Sequence, residues 1–217
     1  MHAKGVALLL FGLALGSARD APPGGEICTS SETFAQRPGA PITSNGCSKP
    51  DFIQVGGEED FSYCCDRHDA CYGMCGAPKA YCDDDFKRCM LKLCSTEYSK
   101  NKQCPTAAET YAMGTMMFGQ EGYHETQKDV CTCVETDTIH DHYSALVRSF
   151  YEEHAPDKLD GAQDAMTSFL AKHPAATGVQ PAYPYSKLYY ALHKKYGASA
   201  ITRSKGKRRG DQVGSEL

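Results

Sequence analysis

Beyond Cys133 the chain contains no cysteine, and all twelve of its cysteines lie between Cys28 and Cys133. An even count confined to one stretch predicts up to six disulfides there, with a cysteine-free extension behind it. Long apolar runs are also missing. Gly5 to Ala14 is nearly unbroken but too short to span a bilayer, and no later run is longer. Preceded by Lys4 and followed by Gly16-Ser17-Ala18, it has the layout of a secretory signal peptide, with the mature chain expected to start near Arg19. It shows no polar face, which argues against a buried N-terminal helix. Strong positive charge is lacking too. For a chain bound for an oxidising compartment, the formal net charge of −4 argues against a nucleic-acid partner.

What the chain does have is concentrated in Cys64-Cys65-Asp66-Arg67-His68-Asp69-Ala70-Cys71-Tyr72 and in Cys82-Asp83-Asp84-Asp85-Phe86-Lys87-Arg88-Cys89. Cys64, His68, Cys71 and Cys75 are spaced to share one face of a helix, and Cys82 and Cys89 do the same on a second. Gly76 and Pro78 between them read as a stop and a restart. So short a joint makes the helices antiparallel neighbours. Facing residues of an antiparallel pair share an index sum, and Cys71 with Cys82 has the same sum as Cys64 with Cys89. Two disulfides can therefore staple the pair in one register. His68 then faces the second helix between the staples, with Asp83 within about one turn of the point opposite it. Adjacent Cys64 and Cys65 point to different sides of the helix and need two different partners, which favours disulfides over a shared zinc ion.

Elsewhere the pattern is plainer. Residues 21–43, rich in Pro, Gly, Ser and Thr, are expected to be irregular, and 44–57 to form an ordered loop. Such a loop, just before a His-Asp helix, is placed to offer backbone carbonyls to a hard cation. Thr106 to Glu109 has the form of a capping box after Pro105, predicting a third helix to about Gly119. Its Tyr111, Met116, Met117 and Phe118 are expected to pack in the core. Beyond Cys133, three amphipathic stripes predict helices: one with Tyr143, Val147 and Phe150, one with Ala162, Met166, Phe169 and Leu170, and one with Tyr185, Leu188, Tyr189, Leu192 and Tyr196. Packing is the expected role of the last stripe, a membrane-facing surface the alternative. His140 and His142 with Asp137 and Asp141 read as a solvated turn rather than a metal site. His124, His154, His173 and His193 show no organised partners, and Asp84 and Asp85 are expected on a solvated face. Residues 202–210 form a basic arm expected to be disordered, either solvated or attracted to anionic lipid. The closing Glu216-Leu217 agrees with only the end of a Lys-Asp-Glu-Leu retention signal, leaving the endoplasmic reticulum lumen as the alternative to secretion.

The expected organisation is a signal peptide at 1–18, a disulfide-rich domain at 19–136, a helical extension at 137–200 and a basic tail at 201–217. The fold class is mostly α: a disulfide-stapled antiparallel helix pair with a cysteine-free helical C-terminal extension.

Cys-Cys-x-x-His-Asp-x-Cys-Tyr followed by Cys-Asp and a further Cys seven residues on resembles the signature of secreted phospholipase A2. Asn45-Gly46-Cys47, the short helix joint and Cys131-Thr132-Cys133 make the chain most similar to the group XII branch, over roughly residues 44–133. The resemblance implies a phospholipase A2-like core that hydrolyses the sn-2 ester of glycerophospholipids at a membrane surface, with calcium as cofactor. It implies His68 as general base, Asp83 as its orienting carboxylate and Tyr72 as a donor to that carboxylate. It implies Asp69 as calcium ligand with the carbonyls of Gly46, Ser48 and Pro50, and a Cys47–Cys65 disulfide tying loop to helix. The family at large has a glycine-dense loop where this chain has Gly-Cys-Ser-Lys-Pro-Asp, a departure shared by the group XII branch. With no serine or free cysteine beside His68, water is the expected nucleophile. A secreted monomer is expected; a catalytically weak lipid- or receptor-binding module is the alternative.

Overall fold

The computed structural model describes residues 28–47, 59–174 and 181–196, and the backbone of 202–203. The expected signal peptide, Ser48, Pro50, the basic arm from 204 onward and the Glu-Leu end lie outside these residues.

Two helices form the centre, α1 (Ser62–Tyr72) and α2 (Lys79–Thr96). They run antiparallel, cross-linked by Cys64–Cys89 and Cys71–Cys82 with Cα atoms 5.7 and 5.6 Å apart. The joint turns at Gly76, whose φ of 74° is a left-handed value that a side chain would resist. Pro78, extended, leads directly into α2. α3 (Cys104–Phe118) packs along α2 and is tied to it by Cys94–Cys104. Phe61, Phe86, Met90 and Ala108 fill the space among these three helices. α3 begins two residues before the Thr106 expected to cap it. No side chain caps it, and Pro105 occupies its first turn, where a missing N–H costs nothing.

Residues 21–43 are not all irregular. β1 (Glu32–Gln36) pairs antiparallel with β3 (Cys131–Glu135), Glu32 facing Glu135 and Gln36 facing Cys131. Cys28–Cys133 and Cys75–Cys131 fasten this ribbon, the second to the end of the helix pair. A second short strand, β2 (Thr43–Ser44), takes in the start of the expected loop. Between α3 and β3 lies α4 (Gln120–Val130), a helix too polar to be seen in the apolar pattern.

Two buried glutamines hold the joint. Gln36 accepts from Cys75 N at 2.8 Å and donates to Gly73 O at 3.1 Å. Gln127 on α4 accepts from Gly76 N and donates to Tyr72 O and Met74 O. Backbone groups in the joint that no helix pairs are thereby satisfied.

The extension comprises α5 (Ile139–His154), α6 (Ala162–Lys172) and α7 (Tyr183–Tyr196), matching the three stripes. They share a core of Val147, Phe150, Met166, Leu188 and Leu192. They also pack onto the disulfide-rich part, so a boundary at 136 does not mark a free-standing unit. Tyr143 OH accepts from Gln36 N, Ser186 Oγ donates to Cys75 O, and Tyr190 lies in one cluster with Ile42, Ala70 and Cys71. Finally, β4 (Thr202–Arg203) pairs in parallel with β2, so the first residues of the arm expected to be disordered form a strand. No helix among the described residues is long and apolar enough to cross a membrane.

Candidate active site

Antiparallel pairing of α1 and α2 puts His68 opposite Asp83. His68 Nε2 lies 2.9 Å from Asp83 Oδ1, and both residues are buried. The imidazole is clamped between rings, 4.2 Å from Tyr72 and 4.7 Å from Phe86, centroid to centroid. The other nitrogen, Nδ1, lies 4.0 Å from Asp69 Oδ1. His68 and Asp69 both line a cavity of about 400 Å³ whose wall also includes Asn45, Gly46, Cys65, Phe86, Thr115 and Phe118. The histidine thus has one nitrogen committed to a carboxylate and the other beside the cavity.

Asp83 is held by three donors. Tyr72 OH donates to Oδ1 at 2.6 Å, the oxygen His68 uses, and Lys79 Nζ donates to Oδ2 at 2.6 Å. Burial pushes the Asp83 carboxyl up, but the hydrogen bonds from His68, Lys79 and Tyr72 outweigh it and hold it below the usual carboxylate range. Asp83 therefore stays ionised beside the histidine. Burial, with the neighbouring Asp83 adding, drives the Tyr72 phenol far above its ordinary value, so Tyr72 remains a donor. Gly119 allows the end of α3 to close on this group, because a Cβ there would lie 3.0 Å from Tyr72 Oη and 2.5 Å from Thr115 O.

Lys79 was not anticipated. It is buried, and its ammonium also donates to Thr115 O on α3 at 2.8 Å. The clue was its place four residues before Asp83 on one helix, the spacing of an ion pair.

Asp69 faces the other way, toward β2. Its Oδ2 accepts from Asn45 N at 3.0 Å and lies 2.9 Å from Ser44 Oγ, which is also 2.6 Å from Asp66 Oδ1. One hydroxyl proton thus serves two carboxylates. Burial raises the Asp69 carboxyl above its usual range despite the hydrogen bonds from Ser44 and Asn45. A cation beside it would offset that cost. Gly46, which lines the cavity, has a left-handed φ of 74°. Of the expected ligands, Asp69 and Gly46 are thus brought together, while Ser48 and Pro50 lie outside the described residues. No cluster of three or more His, Cys, Asp or Glu able to hold a metal occurs among the described residues. The donors on hand are oxygens with a single carboxylate at the cavity, a set that suits a hard cation such as calcium.

Cys47–Cys65 joins the first part of the loop to α1 beside this site. The other expected features fall elsewhere. His140 and His142 stand in the first turn of α5 rather than in a solvated turn, His142 Nε2 2.7 Å from Gln36 O and His140 near Tyr185. Asp85 is not on a solvated face: Tyr190 OH donates to it at 2.6 Å and Arg67 at 3.0 Å. Asp84 is exposed and paired with Arg88. On α3, Met116 and Met117 are exposed rather than in the core and Phe118 is half-buried at the cavity wall, because the face that packs on α2 is the small-residue one, Ala107, Ala108 and Ala112.

A family model described as Group XII secretory phospholipase A2 precursor matches residues 26–140. The Group XIIA secretory phospholipase A2 of Mus musculus is 32% identical over 102 residues, covering 43% of this chain and 53% of that protein. Its Homo sapiens counterpart is 30% identical over 102 residues, with the same coverage. The Group XIIB secretory phospholipase A2-like protein of Mus musculus is 31% identical over 104 residues, 42% of this chain and 53% of that protein. No solved structure gives a match. A disulfide-stapled helix pair carrying a His-Asp site defines a phospholipase A2-like protein. The chain belongs to the group XII secretory phospholipase A2 family. It spans about half the length of the curated relatives it matches.

Proposed function

We propose that this chain is a secreted, monomeric, calcium-dependent phospholipase A2 that hydrolyses the sn-2 ester of glycerophospholipids at a lipid surface. One observation carries the proposal: His68 holds Asp83 through Nε2 while Nδ1 stands beside Asp69 at an open cavity. His68 Nδ1 takes a proton from water, directly or through a second water, as the water oxygen attacks the sn-2 carbonyl carbon. The C–O bond to glycerol then breaks, and the proton passes from His68 to the leaving glycerol oxygen. Asp83 fixes the tautomer that leaves Nδ1 free to accept, and stabilises the imidazolium while it lasts. Tyr72 and Lys79 keep Asp83 in place and ionised. Asp69, with the carbonyl of Gly46 and those of Ser48 and Pro50, would hold calcium, which supplies Lewis-acid polarisation of the carbonyl and charge for the phosphate. The apolar cavity wall of Phe86 and Phe118 suits an acyl chain.

The relatives are all named secretory, which supports export over retention in the endoplasmic reticulum lumen. One is named phospholipase A2-like, which keeps a binding module of low activity as the competing class. The deciding experiment is hydrolysis of mixed-chain phospholipid vesicles with calcium and then with chelator, identifying the acid released. Release of the sn-2 acid, abolished by chelator and reduced roughly 100- to 10,000-fold in folded His68→Gln, supports the enzyme. No release from well-folded wild-type protein would leave the binding module.

A further inference from the structure

Met113, Met116 and Met117, in the last two turns of α3, are 58, 68 and 63% exposed. No leucine, isoleucine or valine is exposed among the described residues, so every large aliphatic side chain that stands in water there is a methionine. Met74, Met90 and Met166 are by contrast fully buried. Apolarity does not account for the choice, because leucine offers a similar hydrophobic surface and a helix propensity at least as high. What methionine alone adds is a thioether sulfur, soft and carried on an unbranched, flexible arm.

Spacing groups the three sulfurs. Met116 and Met117 are the i+3 and i+4 neighbours of Met113 on the helix surface, with Cβ atoms roughly 5–6 Å from its own. Each sulfur lies two bonds beyond its Cβ, so three mobile arms can close on one ion. Neutral, polarisable thioethers suit a soft cation such as Cu(I) or Ag(I), whereas the oxygens around Asp69 suit a hard one. The position favours positive charge as well. The C-terminal end of a helix carries the negative pole of its dipole, and the last turn of α3 holds no basic side chain to repel an incoming cation. Thiols, which would outcompete thioethers, are absent, because all twelve cysteines are paired.

We propose that Met113, Met116 and Met117 form a thioether site for a soft monovalent cation of the Cu(I) or Ag(I) class. The site uses neither His68 nor Asp69, so it stands whether or not the chain hydrolyses phospholipid. The full chain is titrated with silver nitrate in chloride-free buffer and followed by calorimetry and by NMR of the methionine methyl groups. A single Ag(I) binds per chain. The methyl signals of Met113, Met116 and Met117 shift, while those of Met74, Met90 and Met166 stay in place. An excess of calcium or magnesium leaves the shifted signals unchanged, since neither ion competes for sulfur. Cu(I), kept reduced with ascorbate under nitrogen, moves the same three signals. Met116→Leu weakens Ag(I) binding by at least about tenfold, the low end of what even an outer-shell change costs a metal site. Met113→Leu, Met116→Leu and Met117→Leu together abolish it. These swaps conserve volume and apolarity at exposed positions, so the triple variant keeps the wild-type melting temperature without silver, and its loss of binding reports sulfur rather than surface. Undiminished Ag(I) affinity in the triple variant would overturn the proposal. So would wild-type protein that takes up no ion, or silver-induced shifts confined to histidine ring signals.

Discussion

Lys79 Nζ lies 2.6 Å from Asp83 Oδ2, while His68 and Tyr72 share the other oxygen of the same carboxylate. The aspartate is thereby gripped on both oxygens, its charge balanced by a buried ammonium. Removing one member of such a pair leaves an uncompensated buried charge, at a cost of about 3–5 kcal/mol. Lys79→Met is therefore expected to lower the unfolding free energy by that order and to slow turnover with little change in KM. A double-mutant cycle with Asp83→Asn checks it: if Lys79 acts through Asp83, its loss adds little once Asp83 is neutral.

Acid sensitivity follows from two carboxylates. In Asp85, burial raises the carboxyl, but the Tyr190 hydrogen bond and nearby Lys194, Arg67 and Arg88 more than offset it, so, like Asp83, it lies below the usual range. Groups with lowered folded values stabilise the protein above the unfolded value of about 3.9, and that contribution disappears as pH falls through the lower folded values. Asp69, raised by burial, works in the opposite direction. The melting temperature is expected to hold from neutral pH to about 5 and to drop below about 4. Asp85→Asn should melt lower at neutral pH yet show a smaller acid drop, as thermal scans at several pH values will test.

The end of the cysteines at residue 133 suggests a catalytic unit that can be cut free, and the packing predicts otherwise. Deletion after residue 136 would uncover the cluster around Ile42 and Ala70 and strip Asp85 of Tyr190. The truncated chain is expected to be poorly soluble or unfolded. The milder Tyr190→Phe removes one hydrogen bond to a charged group, about 1.5–3 kcal/mol. Denaturant titration of that variant measures the extension's hold on the helix pair.

Calcium binding with a single carboxylate ligand is expected at roughly 0.1–1 mM or weaker, with magnesium a poor substitute. Calorimetry, or the calcium-induced rise in melting temperature, tests this without any substrate. Asp69→Asn should abolish the response over that range, and a response that persists would place the ion elsewhere.

The helix pair was legible in the sequence because it rests on spacing alone. Cys64, His68 and Cys71 must share a face, and two cysteine pairs with one index sum fix the register. Lys79 sat at a visible ion-pair spacing, but its burial depends on Thr115 of a helix distant in sequence. Tyr190 and Asp85 meet only because α7 folds back onto α2, which no local pattern encodes. Apolarity alone places Met116 and Met117 in the core, because it shows that a side chain favours burial without showing which face of α3 is covered. β1 is not legible in the sequence because its five residues lie in a stretch dense with turn formers.

Gln36 and Gln127 brace the joint between the helix carrying His68 and the helix carrying Asp83, and both braces are amides. An amide neither gains nor loses a proton across the working range. The bracket that aligns the two helices is therefore indifferent to acidity and, being uncharged, to ionic strength. Turnover measured across pH or salt then reports the titrating groups and the lipid surface, while the hinge between them stays constant. Gln127→Glu would replace two donated hydrogen bonds with a titratable oxygen and make that alignment pH-dependent.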